Sequence, residues 1–226
     1  MTELQIRCRG ERLFSFAPAG TALIVIDMQR DFFSSSDQPA MPQTNDPMQA
    51  IIPRVADLIA VARLFGCRVI HTREGYSPDF SDVSAFRASL GYVGEPGPGG
   101  RCLIRGEHGH DFLDELKPAP GETIIEKAGF SAFHATALDQ QLSAASIERL
   151  ILCGVTTQCC VHSTLRSAVD LGYWCLTIAD CCAAQDPQAH EAALSLISAE
   201  GHLFGWVCDL DDFKTILPTA RPCTTT

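Results

Sequence analysis

Arg149-Leu-Ile-Leu-Cys-Gly-Val-Thr-Thr-Gln-Cys-Cys-Val-His-Ser-Thr-Leu-Arg-Ser-Ala-Val169 reads as a buried strand, a tight turn and a helix in immediate succession. Leu150, Ile151, Leu152 and Cys153 form a short continuous apolar run, the pattern of a parallel strand covered on both faces. Gly154 punctuates the turn, and Val161, Leu165, Ala168 and Val169 recur at helical spacing beyond it. Cys159 and Cys160 fall in the first helical turn. A thiol there lies among free backbone N–H groups at the positive end of the helix dipole, which lowers its pKa from about 8.5 and supplies donors for an oxyanion. Taken alone, the two cysteines also read as small buried hydrophobes. Residues elsewhere in the chain decide between the readings.

Thr21-Ala-Leu-Ile-Val-Ile-Asp-Met-Gln-Arg-Asp-Phe32 drives an apolar strand into a carboxylate, Asp27. Open parallel sheets bind ligands outside the carboxyl ends of their strands, so Asp27 is a candidate base, whereas Asp31 reads as a turn or helix-start residue. Gly121-Glu-Thr-Ile-Ile-Glu-Lys-Ala-Gly-Phe-Ser-Ala-Phe133 repeats the pattern with a cation: a β-branched strand ends at Lys127 and a loop with glycine and aromatics follows. Singly, Lys127 would pass as a solvated surface residue. Three strands ending in Asp, Lys and Cys side chains of complementary chemistry point to nucleophilic catalysis, with a thiol, a base and a supporting cation.

Strand-like runs begin near Ala22, Arg68, Thr123, Leu150 and Cys175, with a weaker one near Leu203. Helical patterns cover Pro47 to Phe65, His134 to Ala145, Gln158 to Leu171 and Gln188 to Ala199. The alternation predicts an α/β fold, a single-domain, doubly wound, mostly parallel six-stranded sheet with helices on both faces. One domain spans 1–226, with an N-terminal arm at 1–20 and a tail at 218–226. The Gly- and Pro-rich piece from Tyr76 to Glu115 exceeds ordinary connection lengths and reads as a lid or a subunit contact.

Ile26-Asp-Met-Gln-Arg-Asp-Phe32, Lys127 with Phe130-Ser-Ala-Phe133, and Gly154-Val-Thr-Thr-Gln-Cys-Cys-Val-His-Ser-Thr-Leu-Arg166 together resemble the isochorismatase-like cysteine hydrolases, a resemblance that extends from about Thr21 to Phe213. It implies a catalytic triad of Asp27, Lys127 and Cys160; helix phase alone does not choose Cys160 over Cys159. It also implies a cis peptide at Val155-Thr156, an oxyanion held by the backbone N–H groups of Thr156 and Cys160, a substrate contact from Phe32, and a homo-oligomer, a tetramer by family resemblance. His71-Thr-Arg-Glu-Gly-Tyr-Ser-Pro-Asp79, Gly94-Glu-Pro-Gly-Pro-Gly-Gly100 and Ile104-Arg-Gly-Glu-His-Gly-His-Asp111 are similar to segments of biuret hydrolases and their ureido-cleaving relatives, as are Asp180-Cys-Cys182 and Phe204-Gly205. Two departures stand out. Glu200 replaces a substrate-contacting glutamine, where an acid would repel a carboxylate-bearing substrate, and Phe130 fills a loop position expected to be polar. Glu200 precedes the Leu203 to Val207 strand and is expected to project into the crevice.

Composition sets the remaining bounds. The chain has 226 residues and a formal net charge of -10 without a basic cluster, which argues against nucleic acid and anionic membrane surfaces as partners. It shows neither a bilayer-spanning run nor a secretory signal, and its eleven cysteines, an odd number lying within apolar patterns, read as reduced thiols in a cytoplasm. His71, Asp79, His108 and His110 lack compact zinc-ligand spacing. The expectation is therefore a cytoplasmic amidohydrolase that uses neither metal nor organic cofactor, acts on a small amide or biuret-like ureido compound and forms a thioester acyl-enzyme. The alternatives are an N-carbamoyl amino acid or ureidoacrylate-type amidase, toward which Trp206-Val207 hints, a catalytically idle binding or scaffold member of the fold, and a thiol-redox protein. The last lacks Cys-x-x-Cys spacing at either Cys159-Cys160 or Cys181-Cys182.

Overall fold

The computed structural model describes residues 3–33 and 47–217. In chain order the elements are β1 (Leu4–Cys8), β2 (Arg12–Phe16), β3 (Thr21–Ile26), α1 (Arg30–Phe33), α2 (Pro47–Ala50), α3 (Ile52–Phe65), β4 (Arg68–Glu74), α4 (Ala85–Ser89), β5 (Pro96–Gly97) and β6 (Gly100–Arg101). There follow β7 (Thr123–Lys127), α5 (Leu138–Ala144), β8 (Arg149–Val155), α6 (His162–Asp170), β9 (Trp174–Ala183), α7 (Pro187–His202), β10 (Trp206–Cys208) and α8 (Leu210–Lys214).

Six of these strands form one sheet in the order β10-β9-β8-β3-β4-β7, with every neighbouring pair parallel. From β3 the chain builds outward through β4 to β7, then returns to β8 and builds the other way through β9 to β10. Right-handed crossovers in opposite directions place α3 on one face of the sheet and α6 and α7 on the other. All six residues of β3 are buried, as expected of a strand covered on both sides. The reversal opens a crevice between the carboxyl ends of β3 and β8, the position where such sheets bind ligands.

Several local features differ from the sequence expectations. Within the stretch expected as an N-terminal arm, β1 and β2 pair as an antiparallel hairpin from Leu4 to Phe16. Its Ile6, Phe14 and Phe16 are buried, with Phe16 stacked on Phe213 and Phe14 tilted against Trp206. Period-two alternation in a short exposed hairpin is a weak signal beside the β3 run. The helix expected from His134 begins only at Leu138, since Ala135 has φ 53° and the Thr136 hydroxyl bonds back to the carbonyl of Ala132. The tail at 218–226 lies outside the described residues. The segment from Tyr76 to Glu115 carries α4 and the two-residue strands β5 and β6, and it folds back on the sheet. Leu103 N donates to buried Asp31 Oδ2 at 2.7 Å, and Gln29 Nε2 donates to His110 O at 2.9 Å.

Candidate active site

Four strand ends converge on one buried cluster. Asp27 follows β3 in a left-handed conformation (φ 53°), Glu74 closes β4, Lys127 closes β7, and Cys160 lies in the turn after β8. Glu74 and Lys127 are register partners across β4 and β7, so their side chains leave the sheet together. Lys127 Nζ is the hub: it lies 2.6 Å from Asp27 Oδ2, 3.5 Å from Glu74 Oε2 and 3.5 Å from Cys160 Sγ, and donates to Gly129 O at 2.9 Å. Cys160 Sγ in turn donates to Glu74 Oε2 at 3.5 Å, and the Thr72 hydroxyl donates to Asp27 Oδ1 at 2.6 Å. Asp27 is fully buried and Cys160 is 4% exposed.

The turn that carries the thiol is tightly constrained. Gly154 has φ 115°, and a Cβ there would collide with the carbonyl of Ile26 on the neighbouring strand, so β8 approaches β3 closely only with glycine at this point. The Val155-Thr156 peptide is cis. Thr157–Val161 makes one π-helical turn before α6 begins, and the Thr157 hydroxyl meets His190 Nδ1 of α7 at 2.8 Å. Cys160 points into the buried cluster, whereas Cys159 is half-buried beside it.

Electrostatics correct one expectation. The position near a helix start predicted a depressed thiol pKa, yet Cys160 lies well above the ordinary cysteine range. The hydrogen bond to the adjacent Cys159 thiol, burial, and the Asp27 and Glu74 carboxylates outweigh the Lys127 ammonium. Burial, aided by Asp27, also pushes the Glu74 carboxyl up against the pull of Lys127 and Arg87. Burial works against the Lys127 ammonium, but Asp27, Cys160 and Glu74 together hold its pKa above the usual lysine value. The resting site therefore holds a neutral thiol beside a firmly charged ammonium.

Glu74 is the member of this cluster that the sequence reading missed. Arg73 and Gly75 flank it, so the strand end looks like polar loop; the rule that singled out Asp27 and Lys127, a charged residue terminating an apolar strand, would have found it. A cation reaches it from the irregular segment. Arg87, on α4, forms an ion pair with Glu74 Oε1 through Nη2, donates through Nε to the Tyr76 hydroxyl at 2.6 Å, and lies over the rings of Phe130 and Tyr92 at 4.3 and 5.1 Å.

The remaining expected residues fall as follows. Phe32 is half-buried on α1, against the cluster of Tyr76, Leu103 and Ile104. Glu200 does not reach the site: it is exposed, in a left-handed conformation (φ 50°) at the break in α7. The expectation that it faces the crevice is corrected by strand polarity. A residue preceding β10 lies at the amino edge of the sheet, where Trp206 pairs with Leu176, whereas the cluster is built at the carboxyl edge. Asp27, Glu74 and Cys160 bring three possible metal-ligating atoms within 4.8 Å of one another, the one such group found among the described residues, and the Lys127 ammonium stands among them. His71 instead faces Glu122 at 3.1 Å, Asp79 bonds Ser81, and His110 lies 3.3 Å from Glu126. Cys181 and Cys182 are successive residues of β9, whose side chains alternate between sheet faces.

Comparison with known proteins gives a consistent result. Residues 21–212 match the isochorismatase domain. The ureidoacrylate amidohydrolase RutB of Serratia proteamaculans (strain 568) is 33% identical over 218 residues, covering 90% of this chain and 85% of the relative. Among solved structures, an isochorismatase family protein from Desulfovibrio vulgaris subsp. vulgaris str. Hildenborough aligns with a TM-score of 0.75 at 30% identity, covering 88% of this chain and 98% of that one. A cysteine hydrolase from Pseudomonas syringae pv. phaseolicola 1448A aligns with a TM-score of 0.78 at 25% identity, covering 96% and 98%.

Proposed function

The chain belongs to the isochorismatase family and is a hydrolase of that family, and from this premise we propose that it is a cysteine amidohydrolase that releases ammonia or an amine from a small ureido compound. The observation that carries the reading is the buried Lys127 ammonium, 2.6 Å from Asp27 and 3.5 Å from the Cys160 sulfur. Because the thiol rests neutral, its proton leaves as the sulfur attacks. Asp27 accepts that proton while the Cys160 sulfur bonds to the carbonyl carbon, and the carbonyl electrons move to the oxygen. The N–H groups of Thr156 and Cys160 receive the oxyanion. Collapse breaks the C–N bond, and the departing nitrogen takes the proton from Asp27, leaving an acyl group on sulfur. Water then attacks; Asp27 takes its proton and returns it to the sulfur as the thioester breaks. Lys127 keeps its charge throughout and holds Asp27 in line.

The substrate class follows from Glu74 and from kinship. A carboxylate oxygen 3.5 Å from the thiol accepts N–H donors, which a carbamoyl or ureido group presents on both sides of its carbonyl. The biuret-like reading rests on the resemblance of the loop segments. The ureidoacrylate-type reading is favoured by the 33% identity to RutB. An idle scaffold would have no use for a neutral thiol and a buried ion pair in contact. Ammonia release measured over biuret, ureido acids, N-carbamoyl amino acids and nicotinamide tests the proposal: turnover of ureido compounds is expected, and turnover of nicotinamide alone overturns it.

A further inference from the structure

Arg87 is 5% exposed, and two of its three guanidinium nitrogens are engaged: Nη2 with Glu74 and Nε with Tyr76. Nη1 is buried and donates no hydrogen bond of good geometry among the described residues, although the Tyr92 hydroxyl lies close enough to feel the guanidinium. A buried guanidinium N–H without an acceptor is costly, and its planar fork is fixed here by the other two contacts. The aromatic rings of Phe130 and Tyr92 pack against the guanidinium, with their centroids 4.3 and 5.1 Å from Cζ. Only the Glu74 carboxylate stands between Arg87 and the Cys160 thiol, since Oε1 pairs with the one and Oε2 with the other.

We propose that Arg87 Nη1 is the receptor for an acceptor oxygen that the substrate carries beyond its scissile carbonyl, which makes Arg87 and the Phe130 and Tyr92 rings a distal specificity subsite. This rests on the amidohydrolase reading. The chemistry required is an oxygen with a free lone pair, carried on a slender group. Either a second carbonyl or a carboxylate supplies it. Two cations, Lys127 and Arg87, already face two carboxylates, Asp27 and Glu74, so a neutral carbonyl leaves the buried charge balanced and a carboxylate adds one negative charge.

The test uses three substrates of similar reach in the intact protein: biuret, with a distal carbonyl; 3-ureidopropionate, with a distal carboxylate; and propylurea, with neither. Wild type is expected to favour at least one of the first two over propylurea by tenfold or more in kcat/KM. Arg87→Lys keeps a cation opposite Glu74 but loses the fork, and should erase that advantage through KM, lowering kcat/KM for the favoured substrate at least tenfold more than for propylurea. The substrate whose KM rises identifies the oxygen. Equal slowing of all three, the signature of a structural role, overturns the proposal, as does a wild type that ranks propylurea with the others. If wild type turns over none of them, the amidohydrolase reading has failed separately; calorimetric binding of biuret and 3-ureidopropionate to Cys160→Ser, with and without Arg87→Lys, then decides, and unchanged binding overturns the subsite. Should Arg87→Lys not fold, Tyr76→Phe, which frees Nε and leaves the charge pair, should give the same KM-confined loss, and equal loss on all substrates overturns it.

Discussion

At Lys127 one buried ammonium lies within 3.5 Å of two carboxylates, a sulfur and a carbonyl oxygen. Removing it by Lys127→Met leaves Asp27 without a cation and Glu74 with Arg87 alone, a loss of about 3 to 5 kcal/mol that thermal denaturation should register, together with loss of turnover. The nucleophile is tested separately. Cys160→Ser should lower kcat by a factor of about a thousand or more while substrate still binds, and Cys159→Ser should keep most of the activity; an acyl adduct mapped to Cys159 by mass spectrometry overturns the assignment. Because the Cys160 pKa is raised, its thiolate fraction is small at neutral pH and grows as pH rises through that value. Alkylation of Cys160 by iodoacetamide should therefore still be accelerating above pH 9, and a plateau below pH 8 would contradict the neutral resting thiol. Asp27 and Lys127 were legible because each ends an apolar run, whereas Cys160 was chosen over Cys159 only by family resemblance. Arg87 was not: it arrives from an irregular segment whose path no periodicity encodes, and Glu74 hid between Arg73 and Gly75.

The element that sets the thiol is the turn between β8 and α6. Its strand and helix could be read from hydrophobic spacing, but the π-helical turn at Thr157–Val161 could not, since a shifted backbone hydrogen bond leaves no mark on side-chain periodicity. Two contacts hold it. Gly154→Ala must move β8 away from the Ile26 carbonyl and adopt φ 115°, and should cost about 2 kcal/mol or more in chemical denaturation, with turnover lost. Thr157→Val removes the bond to His190, worth about 1 kcal/mol, and should lower kcat several-fold with KM little changed. Equal kcat in the variant would show that α7 does not position the nucleophile. The misplacement of Glu200 has an equally plain cause: sequence proximity to a strand says nothing of the edge until the polarity of the strand is applied.

Over the whole molecule the six strands of the sheet were legible as apolar runs alternating with helices, while their order in the sheet and the closing hairpin were not, because periodicity does not encode neighbours and Leu4–Phe16 alternates too briefly to stand out. That hairpin is part of the core, and Phe16→Ala should cost about 3 to 5 kcal/mol of stability. The assembly expected from family resemblance is a tetramer, which light scattering should report as four chain masses; a monomer at micromolar concentration would refute it. Exposed Trp174, stacked on Trp206 beside Leu203, gives such an assembly apolar surface to cover. The stacking of Phe16 on Phe213 reaches further, into how the protein is made. The hairpin is made long before α8, so β1 and β2 must wait through the synthesis of everything between them with part of their aromatic face uncovered. A nascent chain halted before Phe213 keeps that face exposed and should be cut faster by protease than the full chain, which ties the survival of the opening hairpin to completion of α8.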